Sequence, residues 1–184
     1  MPSGSRGTTN QSGLHTARGP AVPRKVFISY RREDAKWQAR EIYRALTRVL
    51  PHDNVFMDID SIGPGEDFVL ALERSLDQCD ILLALIGPGW IDARDPKSGL
   101  AKLENPNDFV RLEINKALAR GIPVVPVLLD GASIPDKDKL PDDLEKLALR
   151  NAEFVEHRTA DTDIERLIKK LGLAQSPPLS SHPH

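Results

Sequence analysis

Six aliphatic residues in a row, Ile81-Leu-Leu-Ala-Leu-Ile86, restrict this fold more than any other stretch. A strand that faced water on one side would alternate polar and apolar residues. An unbroken apolar run fits a strand covered on both faces, the situation found inside parallel sheets. The chain around it agrees. Lys25–Tyr30 reads as a first strand, and Ala35, Ala39, Ile42, Leu46 and Val49 then recur every three or four residues, as in an amphipathic helix that Pro51 ends. Val55-Phe56-Met57 is a short second strand, and Val69, Leu72, Leu76 and Cys79 mark a second helix. Asn107 or Asp108 caps a third helix whose apolar face is Val110, Ile114, Ala117 and Leu118, and Gly121 stops it. A fourth strand spans Ile122–Leu129, with a bulge or irregular end expected at Pro126 because proline has no N–H for the ladder. A helix near Asp142–Leu149, a strand at Ala152–Glu156 and a helix at Asp161–Leu173 complete the pattern.

Alternating units of this kind form βαβ crossovers. Five of them suit a flavodoxin-like α/β fold: a five-stranded parallel sheet in the order 2-1-3-4-5, with helices on both faces. In such sheets ligands bind beyond the carboxyl ends of the strands, where the order reverses. Here that crevice lies between the first and third strands. Its expected walls are Ser29–Asp34, part of the irregular stretch Gly87–Asn107, and the start of the helix near Asp108. The first strand therefore ends by presenting a hydroxyl, a phenol and two guanidiniums, Ser29, Tyr30, Arg31 and Arg32, suited to a phosphate-bearing ligand.

Bulk properties narrow the partners. The 184 residues suit one domain, read here as a core over residues 25–173 between a disordered leader, 1–24, and a disordered tail, 174–184. A net charge of −2 gives no reason to expect nucleic acid or an anionic membrane, and no apolar run approaches the roughly eighteen residues a spanning helix needs. The single cysteine, Cys79, excludes an internal disulfide and a zinc cluster, so a reducing cytoplasm fits and no metal site is expected. His182 and His184 are too few to make one.

Glu113 is one of few carboxylates able to reach the crevice. An ordinary helical glutamate there would merely favour the helix N-terminus or pair with Lys116. Asp58 and Asp60 follow the second strand and are kept as candidate ligand-facing residues. A phosphoacceptor of the receiver type is excluded, because the third strand ends in Ile86-Gly-Pro-Gly89 where that acidic residue would stand. A bound dinucleotide cofactor is excluded too, since no GxGxxG follows the first strand.

The chain also resembles the TIR (Toll/interleukin-1 receptor) domain in several places and in order. Phe27-Ile-Ser-Tyr30 is similar to that family's first strand, and Phe56–Gly65 resembles its BB loop. Cys79–Trp90 is similar to its third strand and following loop, and Gly121–Val127 to its fourth strand. Asp108-Phe109-Val-Arg-Leu-Glu113 resembles the helix start that carries the catalytic glutamate of NAD+-cleaving members, with Phe109 in place of a tryptophan. The resemblance implies NAD+ as substrate rather than cofactor, Glu113 beneath C1′ of the ribose, Phe109 or Trp90 over a ring, and Arg31 or Arg32 at the pyrophosphate. For Trp90 the alternative is core packing, and for the arginines solvated surface charge. It further implies self-association through Asp58–Asp67, contacts with other TIR domains, and a role in bacterial defence or host interference. A non-catalytic TIR–TIR adaptor is the competing expectation, since fold alone does not decide function.

Overall fold

The computed structural model describes residues 24–57 and 67–173. The expected tail, all but the last residue of the expected leader, and residues 58–66 of the expected self-association loop lie outside them. Among the described residues the chain runs β1 (Val26–Ser29), α1 (Arg32–Val49), β2 (Val55–Met57), α2 (Phe68–Asp77), β3 (Ile81–Ile86), α3 (Phe109–Ala119), β4 (Val124–Leu129), β5 (Glu153–Val155) and α4 (Ala160–Lys170). The five strands pair in the order β2-β1-β3-β4-β5, and every pairing is parallel. The fold is the flavodoxin-like one expected from the sequence.

Every side chain of β3 is buried, as the unbroken apolar run requires. Burying a side chain of this size contributes about 1.5–3 kcal/mol, so the central strand anchors both layers. Alternation divides the residues between them. Val26, Ile28, Leu83 and Leu85 face Ala39, Ile42 and Leu46 of α1 and Ile164 and Leu167 of α4. Phe27, Leu82, Ala84 and Ile86 face Leu72 and Leu76 of α2, Ile114 and Ala117 of α3, and Leu144 and Leu147. Those two leucines belong to the segment Asp142–Leu149, which winds as a 3-10 helix rather than an α-helix. With three residues per turn, its i and i+3 positions eclipse and both leucines reach the core.

Two expectations need correction. β4 shows no bulge at Pro126; it pairs with β3 without interruption from Val124 to Leu128. The N–H of Leu82 donates to the carbonyl of Pro123, which sets a parallel ladder where Val125 and Val127 turn their N–H groups to β3. The nitrogen of Pro126 then points to the opposite side, where β5 begins to pair only at Val127. Proline is tolerated there because no donor is needed. Val69, expected on the buried face of α2, is 40 % exposed.

Cys79 sits just past α2, buried, with its Sγ–H donating to the carbonyl of Ser75. Burial, aided by the charge of Asp80, pushes its pKa up to about 12. Reactivity needs the thiolate. A thiol reagent at pH 8 is expected to leave the native protein unmodified and to react once it is denatured; rapid native labelling would show that this packing is wrong.

Candidate functional site

The crevice forms where the strand order reverses. β1 ends at Ser29, and Tyr30 and Arg31 lead directly into α1, whose first turn, Arg32–Asp34, precedes a kink at Ala35. Across from it, β3 ends at Ile86 and the chain turns through Gly87-Pro88-Gly89. Asp34 holds that turn: its carboxylate accepts from the N–H of Gly87 at 3.0 Å and of Gly89 at 2.9 Å. Glycine at both positions leaves room for this approach. A Cβ on Gly87 would stand 2.5 Å from the Asp34 carboxylate, and one on Gly89 would stand 3.1 Å from it. The Gly87-Pro88-Gly89 turn lacks the run of N–H donors a phosphate cradle needs.

Arg31 is the centre of the arrangement. It is 3 % exposed, and Nη1 and Nη2 donate to the two carboxylate oxygens of Asp108 at 3.0 and 2.9 Å. Nε donates to the carbonyl of Trp90 at 3.2 Å, and the guanidinium lies 5.6 Å from the centre of the Trp90 ring. Asp108 also caps α3, accepting from the N–H of Arg111. One fork-to-fork ion pair thus joins the end of β1, the loop after β3 and the start of α3.

Glu113 lies in the second turn of α3 on the same side as Val110, and is 8 % exposed. It lines a cleft of about 320 Å³ together with Tyr30, Arg31 and Arg32 from the β1–α1 junction and Phe109 from its own helix. This is near the lower end of ligand-pocket sizes. Phe68, at the start of α2, completes the apolar wall, its ring centre 4.0 Å from that of Phe109. At the mouth Lys102 pairs with Glu33. Burial acts to raise the pKa of Glu33, but hydrogen bonds from Lys102 and the backbone, with the charges of Lys102 and Arg31, prevail and lower it.

Of the residues expected at the site, Tyr30, Arg31, Arg32, Phe109 and Glu113 meet around one cleft. Arg31 is committed to Asp108 and Trp90 rather than turned to a ligand. Trp90 is 1 % exposed and packs in the core beside Ile86 and Leu103, so it cannot cover a ligand ring. Ser29 is equally buried, its hydroxyl has no hydrogen-bond partner, and it does not line the cleft. Asp58 and Asp60 lie outside the described residues. Sequence reasoning missed Phe68; Glu33 falls within the expected wall Ser29–Asp34 and Lys102 within Gly87–Asn107, part of which was expected there, but neither was singled out. A phenylalanine directly after the helix cap Asp67, past the carboxyl end of β2, was a usable signal for Phe68; no local pattern links residues 33 and 102. Among the described residues no group of acidic, histidine or cysteine side chains could hold a metal ion, and no helix is long and apolar enough to cross a membrane.

A family model of the TIR domain matches residues 26–168. Among solved structures, the TIR domains of the activated Roq1 resistosome, which directly recognises the pathogen effector XopQ, match with a TM-score of 0.56 at 15 % identity, over 80 % of this chain and 99 % of that one. A metazoan TIR-STING receptor from C. gigas, in complex with 2′,3′-cGAMP, matches with a TM-score of 0.50 at 20 % identity, over 80 % of this chain and 40 % of the receptor. At such identities the likeness concerns the fold.

Replacing Asp108 by alanine would strand a buried guanidinium and uncap α3. Breaking a buried pair this way costs about 3–5 kcal/mol, so urea unfolding should show a loss of that order, whereas Asp108→Asn, which keeps an oxygen for the cap, should lose less. Equal and small losses for both would mean that the pair is not structural.

Proposed function

This chain belongs to the TIR domain family, and on that premise we propose that it is an NAD+ nucleosidase. It breaks the bond between C1′ of the ribose and the nicotinamide nitrogen. The bonding electron pair leaves with nicotinamide as a neutral base, so no general acid is needed, unlike in glycosidases that must protonate an oxygen leaving group. The ribose is left as an oxocarbenium-like cation. Glu113 stabilises that charge from below as it develops, or attacks C1′ directly. Water then gives ADP-ribose and releases a proton, or the adenine gives a cyclised product.

The observation that carries the reading is the position of Glu113: a carboxylate only 8 % exposed, at the wall of a cleft that also offers aromatic rings and cations. A fixed negative charge in a partly dry site acts more strongly on a developing cation than one in water. Phe109 with Phe68 supplies a flat apolar surface for the pyridinium ring, a cation–π contact in the ground state that weakens as the ring becomes neutral. Tyr30 and Arg32 line the same cleft and could meet the sugar and phosphates.

A second reading, a TIR–TIR interaction module, is favoured by exposed apolar side chains beside the same site. Leu70 is 50 % and Phe109 58 % exposed, and Val69 adjoins Leu70 on α2 directly after Asp58–Asp67. Such a surface suits self-association through that loop, and the two readings are compatible if assembly precedes turnover.

Nicotinamide release from NAD+ by concentrated protein tests the first reading. Glu113→Ala should keep the native fold, as read by circular dichroism, and lose activity on the order of a hundred- to a thousandfold, the scale of removing one preorganised charge-stabilising group. Unchanged turnover in that variant would exclude Glu113, and no turnover by assembled protein would leave the interaction module standing.

A further inference from the structure

The mouth of the cleft carries an ion pair that the chemistry at C1′ does not use. Lys102 lies in the 3-10 turn Lys102–Glu104, in the long connection between β3 and α3, and its ammonium meets the carboxylate of Glu33 in the first turn of α1. The backbone beneath Lys102 is fixed. Its N–H donates to the carbonyl of Ala93 at 2.8 Å, and Arg94 bridges Ala101 beside it. Leu103 is 3 % exposed, and its carbonyl accepts from Arg111 at 2.8 Å. A rigid stem therefore presents a movable ammonium at the opening.

The cations around the cleft differ in how firmly they are held. Arg31 is buried with Asp108, their side chains 2 % and 11 % exposed, and withdrawing it would strand a charge in the interior. The Lys102 and Glu33 side chains are 25 % and 49 % exposed. A pair so open to water is weakly held, and exchanging one anion for another at that position costs little. Glu33 stays anionic, its pKa lowered as described above, so Lys102 has a resident negative charge that another can displace.

We propose that Lys102 is the phosphate-reading residue of this cleft and that Glu33 is its displaceable counter-ion, so that the site selects pyridinium nucleotides over the corresponding phosphate-free nucleosides. This rests on the nucleosidase reading for the identity of the ring, but its own observable is binding, not cleavage. When the ring and ribose occupy the wall of Phe68, Phe109 and Glu113, the attached phosphate lies toward the mouth, and Lys102 turns from Glu33 to meet it. Glu33 then has two effects. It keeps Lys102 positioned while the cleft is empty, and it sets a threshold that only a ligand with its own anionic group passes.

The test measures dissociation constants for NAD+ and for nicotinamide riboside by NMR titration of the full chain carrying Glu113→Gln, so that neither ligand is consumed. Added Lys102→Met should weaken NAD+ binding by about tenfold, the order expected for losing one charge-assisted hydrogen bond, and leave nicotinamide riboside unchanged. Lys102→Arg should restore most of the NAD+ affinity. Glu33→Gln should tighten NAD+ several-fold without affecting the riboside, because the competing anion is gone. A Lys102→Met effect equal for both ligands, or absent for both, would overturn the proposal and reduce the pair to a strut. So would a failure of NAD+ to bind at all. Nicotinamide release by the wild-type chain is scored separately: release together with NAD+ binding that ignores Lys102 overturns this inference alone, and Lys102-dependent binding without release overturns the nucleosidase reading alone.

Discussion

The bidentate pair between Arg31 and Asp108 is the contact on which the geometry of this site depends. Its two partners are 77 residues apart in the chain, and each has a second task. Arg31 also holds the carbonyl of Trp90, and Asp108 also caps α3. A single buried guanidinium thus fixes the end of one strand, the loop after another and the first turn of the helix that carries Glu113. Neither partner can leave without exposing the other to the interior unpaired, so the three segments move together or not at all.

Around that fixed point the charges are sorted by burial. The firmly held pair lies deep and sets shape. Glu113 is largely buried on the same helix, one turn beyond the cap. The exchangeable pair, Glu33 with Lys102, lies at the mouth. Asp34 does a further structural job between them, tying the Gly87–Gly89 turn to α1 through two backbone N–H groups. The proposed role of Glu113 would need such a frame, because the effect of a fixed charge on a developing cation depends on not having to reorganise.

Most of the architecture was legible in the sequence because it follows from periodicity. The aliphatic run Ile81–Ile86 is β3 to the residue, and the alternation of strands and helices leads to the observed strand order and to a cleft at its reversal. What was not legible depends on direction and distance. Pro126 in a strand reads as a defect until the ladder shows which neighbour its nitrogen faces. Trp90 follows a strand at the right end of the sheet, but whether an indole turns into the core or out to the cleft is a matter of packing, and here it turns in. Arg31 and Arg32 look alike in sequence, yet one is a buried strut and the other is exposed at the rim. The partnership of Glu33 with Lys102 joins the first turn of α1 to a 3-10 turn in the long β3–α3 connection, and only the fold brings them together.

The proposed function depends on where a nicotinamide nucleotide would bind. Backbone chemical shifts of the labelled protein, recorded while titrating a non-hydrolysable carbocyclic analogue of NAD+, address that directly. The largest changes should fall on Tyr30–Glu33, Phe68, Lys102 and Asp108–Glu113. Changes confined to the separate cavity lined by Ser133, Ile134 and Lys139, or no saturable changes at all, would contradict it.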